Sequence, residues 1–312
     1  MHSSSPPETT SGSAGFHWRS PAALLMVMGA AMQLSFAVWW VLVKNFTVDE
    51  AGFTGKEIGM LESIREIPGF LAFLVVFILL LMREQTLAFV SLIFLGVGVA
   101  LTGYFPNALG LFITTFIMSV GFHFYETAAQ SLQLQWLPKK EAPAIMGKII
   151  AVAAAAQLFA YGVIFLTWQT FNLSFEIVFL IAGLMTVAVT IGLWMAYPQY
   201  KIGVPQRRKI ILRKRYWLYY ALTFMSGARR QIFTVFAGFL MVEKFGFEVQ
   251  HIAALFLING VVNVFLAPAI GRFIMHWGER RALTLEYIGL IGVFVAYAFV
   301  NDPVVAGVLY VL

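Results

Sequence analysis

Long apolar runs separated by short polar or charged breaks make up most of the chain. A run of about 20 apolar residues can cross the hydrocarbon core of a bilayer as an α-helix. The pattern therefore predicts nine membrane-spanning helices and the start of a tenth, near 21–44, 55–82, 85–104, 108–136, 142–168, 173–197, 216–242, 249–275, 282–300 and 303–312. Because the tenth run covers only about half of the hydrocarbon core, we expect the sequence to be a fragment.

Two polar stretches divide the chain. Residues 1–20 are rich in Ser, Thr, Pro and Gly and precede an apolar run that is too long for a cleaved signal peptide. They are expected to form a disordered cytoplasmic tail. Residues 198–215 form a basic linker between a six-helix half at 21–197 and an incomplete second half at 216–312. The predicted fold class is all-α, in a polytopic membrane protein.

Composition narrows the classes of protein that fit. The chain is 60% hydrophobic and 12% charged, against roughly 45–50% and 25% for a soluble domain, which excludes a water-soluble fold. The lack of Cys excludes disulfides, Cys-ligated zinc, iron–sulfur clusters and a thiol nucleophile. Without a Gly-x4-Gly-Lys-Ser/Thr sequence the chain is not expected to hydrolyse ATP, and no cofactor is expected.

Basic residues in the loops predict the orientation, because short cytoplasmic loops retain Lys and Arg. Alternate loops separate cleanly, and the side that holds the tail and the linker carries most of the basic residues. The other side has only Lys44, Lys56 and Lys244, each near acidic residues. The net charge of +6 therefore reflects membrane orientation and not nucleic-acid binding. We expect a multi-pass protein of the cell (inner) membrane with a cytoplasmic N-terminus.

An internal repeat at an offset of 194 residues relates the two halves. Its matched positions are Gly52-Phe53, Ile58 and Leu61, which return as Gly246-Phe247, Ile252 and Leu255. The same offset carries the first span onto the seventh, and transporter folds often contain such repeats. Two six-helix halves of parallel topology are implied, with twelve helices in the intact protein.

This organisation resembles the major facilitator superfamily of secondary transporters. The loop after the eighth span, Gly271-Arg-Phe-Ile-Met-His-Trp-Gly278-Glu-Arg280-Arg281, is similar to the family signature of Gly, Asp-Arg, Gly and basic residues. Met275 stands where the family has an acid, and the loop 81–85 lacks the Gly framework. The resemblance implies a substrate site between two rocking halves. It also implies a cytoplasmic gate at Gly271, Gly278, Arg280 and Arg281 that departs from the usual charge relay.

Ionisable residues inside the spans are the candidate functional groups. Each costs about 2.5–3.5 kcal/mol at a helix centre and persists only if it is paired or faces a cavity. In the second span, Glu62, Arg65 and Glu66 project from one face at i, i+3 and i+4. Either they form an internal ion pair, or the surplus negative charge binds a proton or another partner.

A polar stripe follows the fourth span, at Ser119, His123, Glu126, Thr127, Gln130 and Gln133. Through the resemblance it is expected to line the transport path; the alternative is an interhelical seam worth about 0.6 kcal/mol per hydrogen bond. Glu126 is the first candidate for proton coupling, followed by Glu66 and then Glu62. A single His123–Glu126 pair falls far short of a metal site, so no metal is expected.

Two arginines lie near the middle of the seventh span. Arg230 shares a polar face and is the candidate to bind a substrate carboxylate or phosphate through its two-pronged guanidinium. Arg229 lies about 100° away and is expected to form an ion pair with an acid such as Glu62 or Glu66. The further substrate-binding candidates are Gln33, His123, Gln157 and Asn259. For Asn259 and Asn263, a packing role is equally compatible with the pattern.

These features together predict a secondary active transporter of a small organic solute, with an anionic or zwitterionic substrate favoured and proton coupling expected. It is predicted not to be an enzyme. Its expected partners are the solute, the lipid bilayer and protons. The alternatives are a non-transporting assembly factor or sensor, and an intramembrane enzyme built on His123 and Glu126.

The orientation can be tested with single cysteines, which are easy to place in a chain that has none. An impermeant thiol reagent added to intact cells should label Asp49→Cys and spare Gln206→Cys, because the first is predicted to be external and the second cytoplasmic. The reverse labelling pattern would show that the orientation is wrong.

Overall fold

The computed structural model of the chain describes residues 18–200 and 213–311, with the side chains at 223, 224, 226–234, 267–269, 271, 272, 274, 275 and 279 outside the description. In those two ranges every regular element is a helix. The ten main helices are α1 (Pro21–Asn45), α2 (Gly55–Phe70), α3 (Glu84–Thr102), α4 (Ala108–Trp136), α5 (Ala142–Thr167), α6 (Phe175–Ala196), α7 (Trp217–Glu243), α8 (Val249–Trp277), α9 (Glu279–Phe299) and α10 (Pro303–Val311). The prediction of an all-α polytopic membrane protein is confirmed, and seven described helices are long and apolar enough to cross a membrane.

Several helices begin at a polar residue whose side chain caps the first turn. Ser20 accepts from the Ala23 amide, Asn107 from the Gly110 amide and Ser174 from the Ile177 amide. Thr54 and Glu57 form a capping box at the start of α2. Each cap satisfies a backbone N–H that has no partner within the helix.

The second predicted span is not one continuous helix. α2 ends at Phe70, a 3-10 turn covers Leu71–Leu74, and a single α-turn covers Val75–Ile78. Pro68 has no N–H to donate within the helix. Gly69 lies against the His123 ring, so a Cβ at Gly69 would come within 2.7 Å of a ring carbon. The apolar pattern of 55–82 did not reveal this break, because Leu, Phe and Val suit either geometry.

Two hydrophobic clusters form the core. One lies within the first half and draws its buried residues from between Leu24 and Leu193. The other combines the end of α1 and the start of α2 with residues 235–242 of α7 and the start of α8, so it joins the two halves. We call this region the Lys44 end of the molecule. Among the described residues, buried apolar packing between the halves is concentrated there.

The turn that precedes α2 recurs before α8 at the offset of 194 residues. Gly52 and Gly246 both have positive φ, at 63° and 66°, which glycine adopts without steric cost. The Phe53 amide donates to the Thr47 carbonyl at 2.8 Å, and the Phe247 amide donates to the Met241 carbonyl at 3.0 Å. The sequence repeat therefore has a counterpart in backbone geometry.

Candidate functional site

A cavity of about 430 Å³ lies between the two halves, where α5 faces α8 and α10. Its size is that of a pocket for a small organic molecule. The wall is formed by Ala154, Gln157, Leu158, Tyr161, Phe256, Asn259, Gly260, Asn263, Val264 and Tyr310. Two predicted substrate-binding residues, Gln157 and Asn259, are therefore in the same wall, and none of the described wall residues is charged.

A chain of hydrogen bonds connects α1 to the cavity. Gln33 Nε2 donates to Gln157 Oε1 at 3.4 Å, and Gln157 Nε2 donates to the Tyr161 hydroxyl oxygen at 2.7 Å. Because the Tyr161 oxygen accepts, its own O–H remains able to donate to a molecule in the cavity. Sequence reasoning brought in Gln33 and Gln157 but missed Tyr161. Its position one helical turn after Gln157 was the available signal.

The facing wall on α8 combines amides with aromatic rings. Asn263 Nδ2 donates to the Asn259 carbonyl at 3.0 Å and to Asn259 Oδ1 at 2.5 Å. This leaves the Asn259 amide N–H groups as donors on the cavity side. The Phe256 ring lies between the rings of Tyr161 and Tyr310, with centroid distances of 5.4 and 5.8 Å. The wall therefore offers hydrogen-bond donors next to flat apolar surface.

Four charged side chains form a network between α1 and α2. Lys44 Nζ contacts Glu62 Oε1 at 2.6 Å, and Arg65 Nε contacts Glu62 Oε2 at 2.7 Å. A second Arg65 nitrogen contacts Glu66 Oε1 at 2.7 Å. Lys44, Glu62 and Arg65 are only 2%, 6% and 5% exposed. We call these three residues the ion triad. The predicted internal ion pair is thus present, with an additional partner from α1.

The structure corrects the predicted location of Lys44. The loop count placed it among the residues between the first two spans, yet it lies in the last turn of α1 and is buried. Both carboxylate oxygens of Glu62 are occupied by Lys44 and Arg65. The helix continues past the expected boundary because a π-helical turn, Phe46–Glu50, follows α1 directly.

Aromatic rings cover the ion triad on the side toward the centre of the bundle. The Trp40 ring lies 4.9 Å from Lys44 Nζ and 5.2 Å from the Arg65 guanidinium carbon, so it makes cation–π contacts with both. Phe36 stacks on Trp40 and on Phe122 of α4. Trp40 is therefore a partner of both buried cations.

The first two residues of the polar stripe on α4, Ser119 and His123, pack against α2. Ser119 donates its hydroxyl hydrogen to the Arg65 carbonyl, and the His123 ring lies against Gly69. His123 Nε2 is buried without a hydrogen-bond partner among the described residues. Further along the same stripe, Glu126 and Gln130 are exposed. The interhelical alternative thus applies to one stretch of the stripe, while Glu126 lies where solvent reaches it in the isolated chain.

Some predicted site residues fall outside the description. The side chains of Arg229 and Arg230 on α7 are among them, as is the position of Gly271 in the gate motif. The remaining motif residues are described: Gly278 has a φ of 83° and precedes α9, and Arg280 and Arg281 are exposed. The roles assigned to these residues stay predictions.

The loop 81–85, which lacks the family's Gly framework, carries two buried polar residues that sequence reasoning missed. Glu84 accepts hydrogen bonds from Ser131 at 2.8 Å and from Gln135 at 2.5 Å. Gln85 donates to the Pro198 carbonyl at 3.0 Å and accepts from the Tyr200 amide at 2.9 Å. This loop therefore connects α3 to α4 and to the segment that leaves α6.

The chain is similar to known membrane transporters over nearly its whole length. The family model described as the Major Facilitator Superfamily matches residues 14–312. None of the curated proteins compared with the chain matches it. Two solved structures of the nucleoside transporter NupG, one of them a mutant, have TM-scores of 0.71 and 0.75 with 16% and 14% identity. Each covers 93% of this chain, and 76% and 79% of NupG, respectively.

A third solved structure is a bacterial homologue of the human lysosomal transporter Spinster, in an inward-facing and unoccupied conformation. It has a TM-score of 0.66 and 13% identity, over 93% of this chain and 71% of that protein. At these identities the likeness concerns the fold.

The ion triad generates a stability prediction. Glu62→Gln would leave two buried cations with less negative charge, so we expect a loss of about 3–5 kcal/mol, the usual cost of breaking a buried ion pair. The double variant Lys44→Met with Glu62→Gln should be more stable than Glu62→Gln, because Arg65 and Glu66 then remain as a neutral pair. Glu50→Gln, at an exposed position, is the control and should have no effect. Thermal unfolding in detergent measures these three variants and the single variant Lys44→Met, and strictly additive losses would contradict the coupling.

Proposed function

The chain belongs to the major facilitator superfamily and is a multi-pass membrane transporter, not an enzyme; from this premise we propose that it moves a small organic solute through the cavity between its halves by proton-coupled secondary transport. The observation that carries the proposal is the cavity itself. It lies where α5 of one half meets α8 of the other, and a rocking motion of the halves would alternately open a site there to either side of the membrane.

The described wall favours a solute that accepts hydrogen bonds. The Tyr161 hydroxyl and the Asn259 amide are both able to donate into the cavity, and the rings of Tyr161, Phe256 and Tyr310 provide surface for an apolar or flat part. A carboxylate or a carbonyl meets this requirement. We therefore propose an anionic or zwitterionic solute, with Gln33 and Gln157 orienting Tyr161, Arg230 supplying the positive charge, and His123 at the edge of the path.

The solvent exposure of the three candidate carboxylates gives an order of preference for proton coupling. The carboxylate of Glu62 is buried and both of its oxygens contact cations, so it is already engaged in structural ion pairs. Glu126 is exposed on α4, and the Glu66 side chain is 43% exposed. We propose Glu126 as the first coupling group and Glu66 as the second. Glu126 lies on the same helix as His123, which is proposed to border the path. A charged solute bound there would change the electrostatic potential at the Glu126 carboxylate and therefore its protonation.

The proposed orientation follows from the loop charges. With the N-terminus in the cytoplasm, the Lys44 end faces the outside of the cell membrane and the basic linker at 198–215 faces the cytoplasm.

Transport tests the proposal directly. The protein reconstituted in proteoliposomes with an imposed pH gradient should accumulate at least one member of a radiolabelled panel of amino acids, carboxylates, nucleosides and sugars. A protonophore should abolish the accumulation. Arg230→Lys should weaken the affinity for that solute on the order of tenfold, since lysine lacks the planar two-pronged geometry.

Arg229→Lys, one position away on a different face, is the matched control and should leave affinity nearly unchanged. A reversed pattern would exchange the two roles. Accumulation of none of the panel would argue for a non-transporting role as assembly factor or sensor.

Coupling is tested at Glu126. Glu126→Gln should still bind and exchange the solute but should not accumulate it against a gradient, because the variant cannot carry the proton. Counterflow and gradient-driven uptake, measured on the same vesicles, separate the two activities. Full accumulation by Glu126→Gln would transfer the coupling role to Glu66.

A further inference from the structure

The two halves of the chain meet tightly at the Lys44 end. Asn45 Nδ2 at the end of α1 donates to the Phe247 carbonyl at 2.7 Å, and Gln169 Nε2 donates to Glu248 at 2.7 Å. Gly55 at the start of α2 lies against Phe239 of α7, where a Cβ would be 3.7 Å from a ring carbon. These contacts cross from one half to the other, so each must break if this end opens.

The ion triad reaches the same interface through Lys44. Its aliphatic stem lies over Gly238 of α7, where a Cβ would be 3.6 Å from Lys44 Cε and 3.9 Å from Cγ. Gly238 is buried, as are its neighbours Ala237 and Phe239. The backbone of the second half at Gly238 therefore packs directly against the charged side chain of Lys44 in the first half.

Lys44 and Gly238 are also equivalent in the internal repeat, since the offset of 194 residues relates their positions. Equivalent residues of two halves touch where the pseudo-symmetry axis passes between them. The two positions differ in kind, because one carries a long cation and the other has no side chain. A second long side chain at position 238 would therefore occupy the space that Lys44 fills.

We propose that Gly238 is the seal of the ion triad: the triad is shielded from water only while the halves are closed at the Lys44 end, and a side chain larger than that of alanine at position 238 holds that end open. Buried charges are costly to keep out of water even when they are paired. Apolar packing of residues 235–242 against α1 favours closure. Hydration of the triad favours opening, so the two effects oppose each other across one contact.

Carboxylate labelling tests the seal without knowledge of the transported solute. A water-soluble carbodiimide with an amine nucleophile modifies carboxylates that water reaches, and mass spectrometry gives the extent at each residue. In the full chain, Glu62 should be labelled on the order of tenfold more in Gly238→Leu than in the unmodified protein. Gly238→Ala is the matched control and should not differ from it, because its Cβ would make ordinary contact with Lys44. Glu50, which is exposed, reports equal reagent access in all samples.

Spin labels at the exposed positions Lys56→Cys and Glu243→Cys supply the second measurement, in a chain with no other cysteine. Gly238→Leu should lengthen the distance between these labels, and labels at Arg83→Cys and Arg280→Cys, at the opposite end, should move closer. Gly238→Val replaces the leucine variant if the latter does not fold. Equal Glu62 labelling with unchanged distances would overturn the proposal. Increased labelling of Glu62 without a change in the spin-label distances would contradict the proposal that the side chain at position 238 holds the halves apart, since it would show local unfolding.

Discussion

The buried charges of α1 and α2 must satisfy one another, and the packing of the end of α1 near α2 depends on that constraint. Lys44, Glu62 and Arg65 are almost fully shielded from solvent, and a buried charge without a partner would be strongly destabilising. Glu62 can hold both cations only if the end of α1 lies beside the second turn of α2. The ion triad thus links these two helices through their side chains, and the Trp40 ring lies close to both cations.

The internal repeat shows how one helix face can serve two purposes. At the offset of 194 residues, Glu62, Arg65 and Gly69 of α2 correspond to Phe256, Asn259 and Asn263 of α8. In the first half this face is ionic and is satisfied by α1 and α4. In the second half it is neutral and lines the cavity. A polar but uncharged wall can exchange water for a solute at little cost, whereas a wall of fixed ion pairs would compete with any ligand. The asymmetry therefore separates structural charge from the proposed binding surface.

Contacts between the halves are distributed in a way that suits a transporter. Apolar packing and two hydrogen bonds join them at the Lys44 end, while the other buried cluster belongs to the first half alone. Hydrogen bonds from Gln85 attach the segment that leaves α6 to the first half. The first half thus has a buried core of its own, and its described contacts with the second half lie at the Lys44 end and where α5 meets α8.

The sequence by itself determined the all-α membrane class, the positions of most helices and the repeat, because an apolar run must span the bilayer as a helix whatever its neighbours are. It also identified Gln33, Gln157 and Asn259 as polar residues in need of a polar environment. Only the tertiary structure decided which groups meet. Lys44 is the last residue of the first predicted span and was counted with the loop that follows, and its partner Glu62 lies on another helix, so no local rule could bury it. Tyr161 and Phe256 look like ordinary apolar positions until α5 and α8 face each other across a cavity. The need for glycine at position 69 likewise depends on His123, a residue of a different helix that occupies the space beside it.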